Sequence, residues 1–67
     1  MQTFGKNLRM VREASGMSQK QLAAAMKIPQ QRVSEWECGN VEPTLYNLMK
    51  LIKVLDSSFD ELTDGVL

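Results

Sequence analysis

Gly16, Pro29, Gly39, Pro43 and Gly65 cut this 67-residue chain into short pieces. The pieces run to about 10 to 15 residues, a spacing that suits short helices better than a set of strands. No internal repeat or low-complexity tract interrupts it. A chain of this length buries only about 60 per cent of its unfolded surface. It is therefore expected to form one small domain over residues 1–67, with too little core to enclose a large substrate pocket.

The periodicity within each piece predicts an all-α fold of five short helices. The first runs from about Gln2 to Ala14, with Phe4, Leu8, Val11 and Ala14 on one stripe and Gly16 at a left-handed helix end. The second runs from about Ser18 to Lys27. Ser18 to Gln21 reads as a capping box, and Met17 and Leu22 stand at the positions of a hydrophobic staple. Leu22, Ala23 and Met26 are its buried stripe. The third runs from about Pro29 to Cys38 and stops at Gly39; proline is tolerated in a first helical turn. The fourth opens at Thr44 and runs to about Leu55, with Leu45, Leu48, Leu51, Ile52 and Leu55 as a broad core face. The fifth opens on a second capping box, Ser58 to Glu61, and turns Phe59 and Leu62 inward.

The third segment is the informative one. Val33 and Trp36 are its large apolar residues, and the rest is Gln30, Gln31, Arg32, Ser34, Glu35 and Glu37. A helix that buries so narrow an edge presents most of itself to something else. Lys27 and Ile28 alone separate it from the second segment, and two short helices so closely joined form a helix-turn-helix.

Composition removes several functions. The sequence has no histidine and one cysteine, so a histidine-based triad, a Cys/His zinc site and an intrachain disulfide framework are all impossible. No serine, threonine, lysine or carboxylate pairs with an evident activating base, so no catalytic residue is assigned and an enzyme is not expected. The acids Asp60, Glu61 and Asp64 lack the glycine and alternation of a calcium loop, and read as a solvated helix face. No cofactor or metal is expected, and Cys38 reads as a small helix-end residue. No apolar run approaches the roughly 20 residues of a membrane span. The opening residues carry charge inside every apolar run, unlike a signal peptide. The expected compartment is the cytoplasm.

Charge divides the chain. Residues 1–40 hold six bases and three acids, a net of +3; residues 41–67 hold two bases and five acids, a net of −3. A polyanion would meet the helix-turn-helix half. Glutamine recurs at positions 2, 19, 21, 30 and 31. In the major groove a glutamine both donates to and accepts from the edge of adenine, and residues at the start of a recognition helix are those that reach base edges. Arg32 suits a guanine or a phosphate. Glu35, one turn beyond Gln31, suits cytosine N4.

Two stretches carry a family likeness. One runs Gly16-Met17-Ser18-Gln19-x-x-Leu22-Ala23 and on to Ile28-x-Gln30-Gln31-x-Val33-Ser34-x-Trp36-Glu37-x-Gly39. The other is Pro43-Thr44-Leu45-x-x-Leu48-x-x-Leu51 followed by Leu55-x-x-Ser58-x-x-Glu61-Leu62. Together they resemble the lambdoid phage repressor and Cro family, the XRE-type helix-turn-helix, over about residues 4–63. The resemblance implies a compact five-helix domain of the lambda-repressor-like type. It implies sequence-specific binding of double-stranded DNA at a palindromic operator by a homodimer acting as a transcriptional regulator, with repression the expected effect. It implies base reading by Gln30, Gln31, Arg32 and Glu35. Phosphate contact or positioning falls to Ser18, Gln19, Lys20, Ser34, Cys38 and Asn40. Arg12 and Glu37 match an internal salt bridge of the family, and Trp36 a packing position.

The sequence also departs from the family's pattern. Pro29 stands where the family has a Ser or Thr cap, a loss of about 1 kcal/mol partly offset by proline's fixed φ. Asn40, Val41 and Glu42 replace the basic residues of the following loop, which predicts fewer phosphate contacts and a shallower salt dependence. Asp56 replaces a helix-stopping glycine and Ser57 an apolar residue. These departures and the zero net charge motivate an alternative: a protein-interaction module, or antitoxin-like partner protein, on the same fold. Its surface would be Tyr46, Met49, Val54, Val66 and Leu67, which would serve a homodimer equally well.

Overall fold

The structure, a computed structural model, describes residues 3–67. It contains five helices: α1 (Phe4–Ala14), α2 (Gln19–Met26), α3 (Gln30–Cys38), α4 (Leu45–Val54) and α5 (Phe59–Thr63). The expected start at Gln2 lies outside the described residues.

Short polar side chains begin most of these helices. Thr3, Ser18, Thr44 and Ser58 each accept a hydrogen bond from the backbone N–H three residues on, satisfying a donor that the first turn leaves without a partner. At α2 the capping box is complete: Ser18 Oγ accepts from Gln21 N at 3.0 Å, and Gln21 Oε1 accepts from Ser18 N at 2.8 Å. The third helix differs from expectation. Pro29 is its N-cap at φ −65°, ψ 143°, outside the first turn, and supplies no side-chain hydrogen bond. Proline's ring holds φ, but extended ψ keeps the residue out of the helix.

The core is one cluster: Leu8, Leu22, Ala23, Met26, Val33, Trp36, Leu51, Leu55 and Leu62. Phe4, Val11, Met17, Ile28, Leu48, Ile52 and Val54 pack around it. Burying a large apolar side chain contributes roughly 1.5–3 kcal/mol, so the few helices that meet here hold one another in place. α1 packs on α3 and α5, while α2 packs on α3 and α4.

Ala14, expected on the apolar stripe of α1, is exposed in its last turn, and two larger residues expected in the core also stand outside it. Leu45 is 72 per cent exposed. Its neighbours Thr44 and Asn47 line an open recess with Arg32, Glu35 and Glu42 beside Trp36 and Val41, so the first turn of α4 borders a largely polar cleft and Leu45 itself stays in solvent. Phe59 is 48 per cent exposed. A five-residue helix makes little more than one turn, and Leu62 takes its inward position. Val54, expected on an outer face, is partly buried against the core.

Candidate nucleic-acid interface

The joint between α2 and α3 is Lys27, Ile28 and Pro29. Lys27 caps α2 in the left-handed conformation at φ 59°, which turns the chain sharply. Ile28 follows, half-buried against the core, and fixes the angle at which α3 leaves.

Val33 and Trp36 anchor α3, and both are buried. The helical period then decides what faces out. Gln31, Glu35 and Cys38 fall at i, i+4 and i+7 on the row opposite the anchors. Gln30 and Ser34 form the adjoining row, and Arg32 lies on the other flank. Gln30, Gln31, Arg32 and Cys38 are exposed, and Ser34 and Glu35 are intermediate. Pro29, Gln31, Arg32 and Glu35 surround a shallow recess of about 180 Å³. Among the described residues, none of the four base-reading candidates makes a side-chain hydrogen bond or ion pair within the chain. Their donors and acceptors face solvent.

The positioning candidates divide differently. Ser18 is exposed, but its hydroxyl is engaged in the α2 cap. Lys20 and Asn40 are exposed. The Asn40 backbone N–H donates to Glu35 O at 3.1 Å and closes the end of α3. Gln19 turns inward: its Nε2 donates to Glu37 Oε1 at 3.0 Å.

Glu37 is the hub beneath this surface. Arg12 Nε donates to Glu37 Oε2 at 2.6 Å, and Arg12 Nη2 donates to Oε1 at 3.1 Å. Arg12 Nη1 also donates to Met17 O at 2.8 Å. The Glu37 carboxylate thus joins α1, the start of α2 and the last turn of α3, while Arg12 also ties down the turn after α1. The hydrogen bond to Glu37 outweighs desolvation and raises the Arg12 guanidinium above its ordinary pKa.

Three supports were not read from the sequence. Asn7 is buried, and its Nδ2 donates to Leu62 O at 3.0 Å and Asp64 O at 2.9 Å, holding α1 to α5. Lys50 Nζ donates to Met26 O at 3.1 Å, tying α4 to the end of α2, and lies 5.4 Å from the Tyr46 ring centroid. Gly5 sits against the end of α3: a Cβ there would lie 2.5 Å from Glu37 O and 2.6 Å from Trp36 O. The glycine inside a helical stripe was the available signal for the last. Asn7 and Lys50 gave none, because polar residues on short helices are ordinarily solvated.

Residues 8–62 match the helix-turn-helix family. The chain is 45 per cent identical over 56 residues to the HTH-type transcriptional regulator DicA of Escherichia coli, covering 84 per cent of this chain and 42 per cent of that protein. It is 37 per cent identical over 62 residues to the SPbeta prophage-derived uncharacterized HTH-type transcriptional regulator YonR of Bacillus subtilis, covering 92 and 57 per cent. It is 29 per cent identical over 62 residues to the HTH-type transcriptional activator BcrR of Enterococcus faecalis, covering 92 and 30 per cent. The chain spans less than two thirds of the length of each of these relatives.

Proposed function

The chain belongs to the helix-turn-helix family, of the XRE type, and from that membership we propose that it binds double-stranded DNA sequence-specifically as a small transcriptional regulator. α3 enters the major groove, and Gln30, Gln31, Arg32 and Glu35 read bases. Ser18, Gln19, Lys20, Ser34, Cys38 and Asn40 position the backbone. The observation that carries this reading is the outward row of α3, whose polar side chains have no hydrogen-bond partner within the described chain while the helix itself is braced from behind.

The protein works as a homodimer on a palindromic operator, with repression as its effect. Half-sites one turn apart put equivalent points roughly 34 Å from each other. The Cα framework measures 28 × 24 × 21 Å, so two copies on adjacent half-sites come close enough to touch. Among the described residues no helix is long and apolar enough to cross a membrane, and we place the protein in the cytoplasm. Its role is binding, not catalysis, and needs no cofactor.

Selection of bound sequences from a random duplex library, at about 50 mM salt where phosphate contacts are strong, tests the reading. The expected result is an enriched palindrome whose half-site spacing reports the dimer. Binding without any enriched sequence overturns it.

A second reading has one observation in its favour. Leu45, Tyr46 and Met49 are 72, 65 and 51 per cent exposed on adjoining positions of α4. Such a surface suits a protein partner, as in the antitoxin-like alternative.

A further inference from the structure

Gly5 lies in the first turn of α1, far in sequence from the residues that face DNA. Its contacts are nevertheless with α3. The three atoms nearest a Cβ built on Gly5 are all backbone: Glu37 O at 2.5 Å, Trp36 O at 2.6 Å and Glu37 C at 2.9 Å. Its backbone conformation is helical, so the glycine is required by close approach and not by a left-handed turn. The last turn of α3 rests directly on the bare main chain of α1.

Neither side of this contact is free to retreat without consequence. α1 is held from behind by Asn7, which donates to Leu62 O and Asp64 O, and Leu8 beside Gly5 is buried in the core. α3 is held by two buried side chains, Val33 and Trp36. Relieving a 2.5 Å approach to ordinary contact means moving the end of α3 by about 1 Å. Val33 is the buried residue nearest the reading end. It stands roughly 6 Å from Glu37 and roughly 4.5 Å from Gln30 along the helix axis at 1.5 Å per residue. Pivoted there, the shift tilts α3 by about 10° and carries Gln30 by about 0.75 Å and Gln31 by about 0.5 Å, the scale on which placed polar groups lose their geometry.

We propose that Gly5 is a positioning residue for DNA recognition: by letting α1 seat backbone-to-backbone on the last turn of α3, it sets the tilt at which Gln31 and Glu35 are presented. This rests on the reading of α3 as the base-reading helix, and adds that part of the sequence preference is set from α1.

The test is the ratio of affinity for the selected operator to affinity for random duplex of the same length and salt. Each variant is measured at a temperature where circular dichroism shows it folded. Gly5→Ala pushes the contact apart, and Asn7→Ala slackens α1 from the opposite side without adding an atom. Leu51→Ala is the control, a buried residue of α4 whose loss lowers stability without touching this contact. The expected result is a ratio reduced about tenfold in Gly5→Ala and several-fold in Asn7→Ala, because bidentate base contacts degrade while phosphate contacts survive. Leu51→Ala keeps the wild-type ratio. If Gly5→Ala does not fold, Asn7→Ala decides: a wild-type ratio in that variant overturns the proposal. A folded Gly5→Ala with an undiminished ratio does the same. A wild-type protein with no sequence preference overturns the reading beneath it, and this inference with it.

Discussion

Arg12 grips both carboxylate oxygens of Glu37 across the gap between α1 and α3, with side-chain exposures of only 10 and 5 per cent. Truncating Glu37 to alanine leaves that guanidinium buried without its counter-charge, and breaking a buried pair costs about 3–5 kcal/mol. Gln19→Ala removes one neutral donor and costs about 1 kcal/mol. Thermal unfolding of the two variants checks the order. Equal melting temperatures would remove Glu37 from its place as the hub.

The same pair fixes a pH response. Hydrogen bonding to Glu37 raises the Arg12 guanidinium above its ordinary value. A group raised on folding gives its full stabilisation below the unfolded value and loses it only as pH climbs through the folded one. That loss falls in strong alkali. With no histidine in the sequence, the melting temperature is expected to stay level between about pH 6 and 8. A titration-shaped fall inside that window would contradict this.

Ser57 carries a hydroxyl that is buried and has no hydrogen-bond partner among the described residues. A buried polar group left in that state is costly, so Ser57→Ala is expected to stabilise by about 1 kcal/mol. In a domain this small that raises the melting temperature by roughly 4–8 °C. A lower melting temperature would show the hydroxyl to be engaged.

Asp56 adopts φ 50°, the left-handed region that favours glycine. Asp56→Gly relieves that strain and is expected to stabilise by only about 0.5 kcal/mol, since aspartate tolerates this region better than most residues and glycine's unfolded-state entropy offsets part of the gain. Gly16→Ala, at φ 74° with open space around it, should move the other way by about 1 kcal/mol. Denaturant midpoints of the two variants report both signs.

Gln31 touches nothing that holds the fold, so Gln31→Ala leaves stability within about 0.5 kcal/mol of wild type. Its loss is expected to weaken operator binding by about 1–3 kcal/mol and to relax preference at one base position. Uniform weakening across all sequences would place Gln31 on the phosphate backbone instead.

Much of this was legible in the residues because local rules and tertiary packing agreed. Ser18 with Gln21, the left-handed Gly39 and the stripe of Leu22, Ala23 and Met26 each point to one structure. The sequence erred where a helix met a neighbour it did not foresee. Leu45 keeps the helical spacing, yet its turn borders an open, largely polar recess and the side chain stays in solvent. Phe59 is a strong core residue on a helix too short to use it. Lys27 in a left-handed cap has no sequence signal, because lysine is not the residue that region selects. The outward row of α3 was readable from its polarity. Its support by Asn7 was not, and Gly5 left only the signal of a glycine within a helical stripe, since both act through backbone atoms of distant helices.

Glu37 answers to Arg12 and Gln19 together, so none of the three changes alone without loss. Gln30, Gln31, Arg32 and Glu35 answer to nothing inside the described molecule. The domain thus separates what must be inherited as a set from what is open to trial one residue at a time. On the proposed base reading, a lineage built on it exchanges one operator for another by drift on a single helix face, without passing through an unfolded ancestor.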